Sequence, residues 1–521
     1  MSSRLGDSVD AGASPTDPLE VHGDSVTGTH TFDRNDRGDT LRILQALHDP
    51  QNDHLHLIHV YGIGFLSYRA GSWTEVTDHQ VAALVSDLLH AFGREALEEA
   101  ARLRLRLADP STTREVASAA REQLADADQR VEYYLRRQRQ TVHETLVRSL
   151  KGQRVLQRAV SDLDRQRHLL VVENGTIDLR TGDLVRNDPA HLITTRIRIP
   201  YHPQRDEDGE LIFECPRWEQ FMSECHHDPE VVAYLQRVAG YSATGETNEH
   251  CFVLHAGRGS NGKGTYLNML TRIFEGITTV RPADMLDPRR GGGQEMAELR
   301  GARLVVVNEG EIGQAVSEAR LKTLTGGDYI TGRRLYQQSI QFKPSFTLHF
   351  STNHKPQFRD ATEGLWRRLH LVHWKQIFTG ERMDRTLELQ LLSEQEGILA
   401  WAVAGAVQYY RQGLAAPEAV LSAVEEYREV VDPLSGFLTG EVYTFEPGER
   451  VPFKEVHAAY VDWLPEGKPW SLQALRQALE ERGAEFVRGG GRWHLKNYRK
   501  VSRHEAKSGL SLIDRAGETT A

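Results

Sequence analysis

The chain has 521 residues, enough for roughly three domains that each bury a core. Its 63 Lys+Arg against 73 Asp+Glu give a net charge of −10, which excludes a uniformly basic nucleic-acid coat but leaves room for a local basic channel. Three cysteines (Cys215, Cys225, Cys251) exclude a disulfide framework, and no apolar run approaches the roughly 18 residues of a membrane span, so a cytoplasmic protein with no membrane partner is expected.

Residues 1–36 are rich in Ser, Gly, Asp and Thr and read as a disordered tail. Residues 56–76 alternate short β-rich segments with glycine turns, a small meander. From 78 to about 166, Leu, Ala, Arg and Glu recur at helical spacing, interrupted at Asp109-Pro110-Ser111. Strands return over 169–201, where Asn174-Gly175 and Thr181-Gly182 are turn signals. Together 37–205 form an expected N-terminal accessory α+β region. Helices over 218–235 lead into a nucleotide-binding core within a domain expected at 206–415, which closes on a helical run over 387–412. Residues 425–500 then give helix, helix and two strands around Gly489-Gly490-Gly491, the outline of a winged helix, and 501–521 read as a flexible tail.

The chemistry concentrates where the apolar run Cys251-Phe252-Val253-Leu254 runs into Gly257-Arg258-Gly259-Ser260-Asn261-Gly262-Lys263-Gly264-Thr265. A strand ending in a glycine-rich turn that opens a helix is a phosphate-binding loop. Its glycines let backbone N–H groups converge on phosphates, the helix adds its positive end, and Lys263 adds a full charge. Gly257, Gly259, Ser260, Asn261, Gly262, Lys263, Gly264 and Thr265 are therefore expected to bind a nucleoside triphosphate. Because Gly264 follows the lysine, the Mg²⁺-binding hydroxyl falls to Thr265. Downstream, the strand-like 303–308 ends at Asn308-Glu309-Gly310-Glu311; Glu309 is expected to hold Mg²⁺ through water or polarise the attacking water, with Glu311 second. Phe346–Thr352 reads as another strand, and Asn353 at its tip is suited to orient the lytic water. Arg367 and Arg368 follow, suited to stabilising charge in a neighbouring subunit's site. The Cys225-His226-His227 cluster lacks the spacing of a zinc site.

These elements, in this order, resemble superfamily 3 helicases and, within them, the phage/plasmid primase–helicase family. The resemblance covers roughly residues 35–500. It rests on the loop, on Asn174–Gly182, on Leu321-Lys322-Thr323-Leu324-Thr325-Gly326-Gly327-Asp328-Tyr329-Ile330-Thr331-Gly332-Arg333-Arg334, on Thr352–Pro356 and on Glu363–Arg368. It implies an α/β P-loop NTPase core of AAA+-like type between the accessory region and the winged helix. It further implies ATP with Mg²⁺, a homo-oligomeric and commonly hexameric ring, and DNA as partner. A β-hairpin over 329–343 would enter the channel and touch single-stranded DNA, with Lys322, Arg333, Arg334 and Tyr336 as contacts; Arg488 and Arg492 would meet duplex DNA at the wing. The expected role is an ATP-driven DNA helicase in phage, prophage or plasmid replication, in a bacterial cell or phage-infected host. The primer-synthesising domain of larger family members is not expected here, which implies a separate primase as partner. A replication initiator or loader, or a defence-associated ATPase, would keep the same ATPase residues.

Overall fold

The computed structural model describes residues 32–50, 54–287, 293–308, 316–333, 339–353, 363–431, 434, 437, 438, 440, 442–463, 469–480 and 482–501. Of the expected tails 1–36 and 501–521, residues 1–31 and 502–521 lie outside the described residues, as do Glu309, Glu311, Arg334 and Tyr336; the tail ends earlier than expected, since Asn35 caps a helix that starts at Asp36.

The N-terminal part begins with helix Asp36–Ala46, whose N-cap Asn35 accepts a bond from the Gly38 N–H. The expected meander forms: Leu57–Val60, Gly64–Arg69 and Ser72–Val76 pair antiparallel, and Gln157–Arg158 joins the edge in parallel. Thr77 and Gln80 then close a reciprocal capping box that starts the long helix Asp78–Ala108. Helices Arg114–Arg136 and Gln140–Lys151 follow the break at Asp109, whose carboxylate accepts from the Ser111 N–H at 2.9 Å. One buried carboxylate ties this bundle together. Asp39 is fully buried and accepts from Arg42 at 3.0 Å, Arg137 at 2.7 Å and the Tyr133 hydroxyl at 2.8 Å.

Leu169–Val172, Gly175–Asp178 and Asp183–Val185 form a second antiparallel sheet, with the first two strands in register around Asn174-Gly175. Leu170, Val172, Ile177 and Leu179 enter the same hydrophobic cluster as Trp218, Tyr234, Tyr266 and Trp401. This sheet thus packs with the central body of the protein.

That body is built on a five-stranded, all-parallel sheet: β1 (Phe252–Ala256), β2 (Thr278–Pro282), β3 (Leu304–Asn308), β4 (Thr347–Thr352) and β5 (Leu369–His373), in spatial order β2-β3-β4-β1-β5. A parallel sheet covered on both faces needs near-continuous apolar strands, and Leu304-Val305-Val306-Val307 and Phe252-Val253-Leu254 supply them. Alternate residues go to opposite sides: Val253, Leu304 and Val306 join one cluster, and Phe252, Leu254, Val305 and Val307 the other. The first face is covered by helices Pro216–Cys225, Pro229–Thr244, Lys263–Ile273 and Gln395–Gln412. Pro229–Thr244 and Gln395–Gln412 cross with backbones in contact, at Gly240 against Ala406 and Gly405 against Gln236, where any Cβ would collide. The other face holds helix Glu318–Thr325, the strand pair Ile330–Arg333 and Ser339–Phe342, and helix Glu418–Val431.

The C-terminal part has helices Phe453–Trp463 and Leu472–Glu480 against strands Glu485–Gly489 and Arg492–Lys500, around a core of its own. A third strand, Tyr443–Pro452, pairs with Arg492–Lys500 and makes the sheet three-stranded. Pro447 and Gly448 break its alternation, and the register shifts between Phe445 and Arg450 for that reason.

Candidate nucleotide-binding site

Because every strand of the central sheet runs the same way, all five carboxyl ends lie on one edge, where open α/β sheets bind their ligands. Ala256 ends β1 beside Thr352 of β4 on one side and His373 of β5 on the other. The glycine-rich turn, Asn353 and Trp374 are therefore brought together by strand register.

The turn needs its glycines locally. Ser260 and Gly262 both take positive φ, 60° and 86°, and Gly262 caps helix Lys263–Ile273 from the left-handed region. A Cβ on Gly262 would also strike Cys225 Sγ and the Phe221 ring, whereas one on Gly264 would meet nothing within 4 Å. Asn261, almost fully buried, braces the turn from inside. Its amide donates to the Trp374 carbonyl at 3.2 Å, and its Oδ1 accepts from the Lys263 N–H at 3.2 Å. Phe378 N–H donates to the Ser260 carbonyl at 2.7 Å, so the segment after β5 lies over the loop.

Lys263 is 5% exposed. Its ammonium donates to the carbonyls of Gly257, at 3.3 Å, and Thr352, and to Asn353 Oδ1 at 3.1 Å. These three acceptors hold the Lys263 ammonium at the strand-end crevice, beside the glycine-rich turn. Thr265, in the first turn of the helix, is half-buried and lines a cavity of about 150 Å³ together with Phe221, Gly262, Phe378, Arg382 and Leu387.

Behind the loop runs a buried chain of four side chains. Trp374 Nε1 donates to His255 Nδ1 at 3.2 Å; His255 Nε2 and His349 Nδ1 are 3.1 Å apart; His349 Nε2 and Ser242 Oγ are 3.0 Å apart; Ser242 Oγ donates to the Val238 carbonyl at 2.8 Å. Since both ends have fixed direction, each histidine must be neutral with its proton on Nε2. Burial drives both away from protonation, His349 down to about 3 and His255 well below the ordinary value. Burial likewise lowers His226 to about 4 and raises the Cys225 thiol to about 12, so the Cys225-His226 pair carries neither thiolate nor imidazolium at neutral pH.

The other predicted residues divide by position. Arg367 is exposed, and Arg368 donates to the Gly364 carbonyl at 2.8 Å. Both precede β5 and so lie at the amino edge of the sheet, the far side from the loop of their own chain. Lys322 is paired with Glu318 at 2.5 Å. Arg333 is exposed and stands opposite Ser339 in the last described register pair of its strand pair. Arg488 and Arg492 are exposed on the C-terminal strands, Arg488 at 5.3 Å from the Trp493 ring centroid. Neighbouring basic residues there are already matched, Lys496 by Glu485 and Arg499 by Glu446. Sequence reasoning missed Trp374, Phe378 and Arg382 over the loop. The one available signal was aromatic residues in an otherwise polar stretch just beyond a strand.

Residues 42–227 match a family model described as D5 N terminal like, and residues 255–368 match one described as a family of unknown function (DUF5906). The chain is similar to "Putative helicase L207/L206" of Acanthamoeba polyphaga mimivirus, 24% identical over 298 residues that cover 53% of this chain and 31% of that protein. It is also similar to "Putative helicase 184R" of Invertebrate iridescent virus 6, 26% identical over 240 residues that cover 44% and 24% respectively. The chain thus spans about a third or less of the length of these relatives. Among solved structures, the apo NrS-1 C-terminal region aligns over 63% of this chain and 95% of its own, with 13% identity and a TM-score of 0.38. No helix among the described residues is long and apolar enough to cross a membrane.

Proposed function

We propose that this chain is an ATP-dependent DNA helicase with a P-loop ATPase core, working in replication as a homo-oligomeric, hexameric ring. The observation that carries the reading is the strand-end arrangement in which the Lys263 ammonium, the glycine-rich turn and Asn353 converge at one edge of a parallel sheet. That combination of fixed cation, helix N-terminus and strand-tip amide suits a triphosphate and the water that attacks it. The D5-like N-terminal match and the viral relatives named as putative helicases favour a motor over a metabolic kinase.

On this reading Thr265 and Glu309 would hold Mg²⁺, which would supply positive charge against the phosphates. The cavity between Phe221, Phe378 and Leu387 takes the base, with Arg382 at its rim. Arg367 serves the neighbouring subunit, because its place at the amino edge keeps it from its own loop. Arg368, which donates to the Gly364 carbonyl, is the alternative for that role. The strand pair Ile330–Arg333 and Ser339–Phe342 would face the channel and bring Arg333 to DNA, with Arg334 and Tyr336, outside the described residues, as further contacts; Lys322 lies on the helix leading to it. The C-terminal part acts as a winged helix whose Arg488 and Arg492 contact duplex phosphates.

The test is ATP hydrolysis and strand displacement on a forked duplex, for the wild type and Lys263→Ala. Wild-type unwinding that is lost with Lys263→Ala supports the helicase. ATP hydrolysis and DNA binding with no displacement would move the chain to the initiator or loader class, and ATP turnover unchanged by Lys263→Ala would overturn the site.

A further inference from the structure

The N-terminal hairpin carries a side-chain cluster that the nucleotide site does not use. Strands His48–Asp49 and His54–Leu55 pair antiparallel, with Asp49 directly opposite His54. Side chains of a cross-strand pair share a face, and His56, two residues beyond His54, returns to it. One carboxylate oxygen of Asp49 and one ring nitrogen from each of His54 and His56 lie within 4.8 Å of one another, and the two imidazole centroids are 4.9 Å apart. All three residues are half-buried. Both ring nitrogens of His54 are shielded from solvent with no hydrogen-bond partner among the described residues, an expensive state for a group that always carries a donor.

We propose that Asp49, His54 and His56 form a divalent-metal site for a borderline ion, Zn²⁺. Two imidazole nitrogens and one carboxylate suit Zn²⁺, whereas Mg²⁺ and Ca²⁺ prefer oxygen throughout. Tetrahedral bonds of about 2.0–2.1 Å place ligand atoms roughly 3.4 Å apart, so the three groups draw inward by about an ångström on binding. Short paired strands can do this without disturbing the helices. The fourth position is left for water or for a ligand entering the cavity of about 590 Å³ that His54 lines with His48, Trp73 and Arg158. The ion would fasten the hairpin to helix Asp36–Ala46, since the His56 N–H donates to the Leu47 carbonyl just past that helix at 3.0 Å. The three cysteines take no part; all are buried elsewhere in the chain.

The full chain, stripped with a chelator, is titrated with Zn²⁺ by calorimetry and with Co²⁺ by visible absorbance, and bound metal is counted by mass spectrometry. One equivalent with a tetrahedral Co²⁺ spectrum is expected. His54→Gln and Asp49→Asn should each weaken binding at least tenfold at unchanged circular dichroism, and Lys263→Ala should bind as the wild type does. No stoichiometric metal, an octahedral Co²⁺ spectrum, or unchanged affinity in both variants would overturn the site. Because the first two outcomes are read on the wild type, a variant that fails to fold does not protect the proposal.

Discussion

Lowering the pH from 7 to 5 should destabilise the central body of this protein, and His349→Gln should remove about 2 kcal/mol of that loss. The cause is the neutral chain Trp374–His255–His349–Ser242. A second proton on either imidazole would set two N–H groups against each other or against the Trp374 indole N–H. Burial holds His349 at about 3 in the fold, against about 6.5 in the unfolded chain. The unfolded chain therefore takes up a proton below pH 6.5 that the fold refuses. The stabilisation is fully present above 6.5, falls as the pH drops, and stops falling only near pH 3. At about 1.4 kcal/mol per pH unit, the loss from 6.5 to 5 is about 2 kcal/mol for one histidine. His226 and His370, at about 4, and His255 add to the wild-type slope in the same direction. Glutamine is the substitution of choice because its amide can donate toward Ser242 while its oxygen accepts from His255. Urea unfolding at pH 7, 6 and 5 measures the slope, which linkage makes independent of whatever His349→Gln costs at pH 7. Equal slopes for the two proteins would refute a neutral, buried His349.

Gly262→Ala should cost about 1–3 kcal/mol and abolish ATP hydrolysis, because it combines strain at φ 86° with a clash on Cys225, whereas Gly264→Ala faces open space and should leave the melting temperature unchanged. Arg303→Met should destabilise by at least about 3 kcal/mol in thermal unfolding, since it orphans the buried carbonyls of Arg167, Ala243 and Leu169, bonded now at 3.1, 2.9 and 2.8 Å. If Arg367 acts on a neighbour, Arg367→Ala subunits mixed with Lys263→Ala subunits should regain ATPase activity, because some interfaces then join an intact loop to an intact arginine. Absence of recovery in co-assembled mixtures counts against that role.

What the sequence revealed was local. The glycine turn, the apolar run before it and the helix after it are contiguous, so their meaning survives without knowledge of the fold. The turn at Asn174-Gly175 was legible for the same reason, as near-neighbour chemistry, whereas the capping box at Thr77 and Gln80, equally local, went unread. Contacts set by register were not. Nothing in the spacing of His255 and His349 announces that β1 and β4 lie side by side, or that a tryptophan beyond β5 supplies the carbonyl that holds Asn261. The hairpin ligands Asp49, His54 and His56 also escaped, because a two-residue strand leaves almost no periodic signal. Tyr443–Pro452 was hidden by its own proline and glycine. The basic run near the Gly489-Gly490-Gly491 turn looked more positive in sequence than in space, where Glu485 and Glu446 answer two of its charges.

The direction of the central sheet constrains the proposed mechanism more than any single residue does. With five parallel strands, a residue before β5 and a residue after β1 are separated by the length of a five-residue strand, roughly 17 Å, before side chains are counted. Arg367 and the Lys263 loop stand in that relation, so on the proposed reading one chain would carry the two halves of the site at opposite edges. An arginine finger at Arg367 is therefore compatible only with assembly, and a monomeric ATPase would have to find its second cation elsewhere. Arg382, which lines the cavity beside the loop and lies 5.2 Å from the Phe378 ring centroid, is one described residue placed to provide it within one chain. Concentration dependence separates the two. Turnover per chain that rises with protein concentration and depends on Arg367 supports the ring, while turnover that is flat on dilution and depends on Arg382 supports a self-sufficient site.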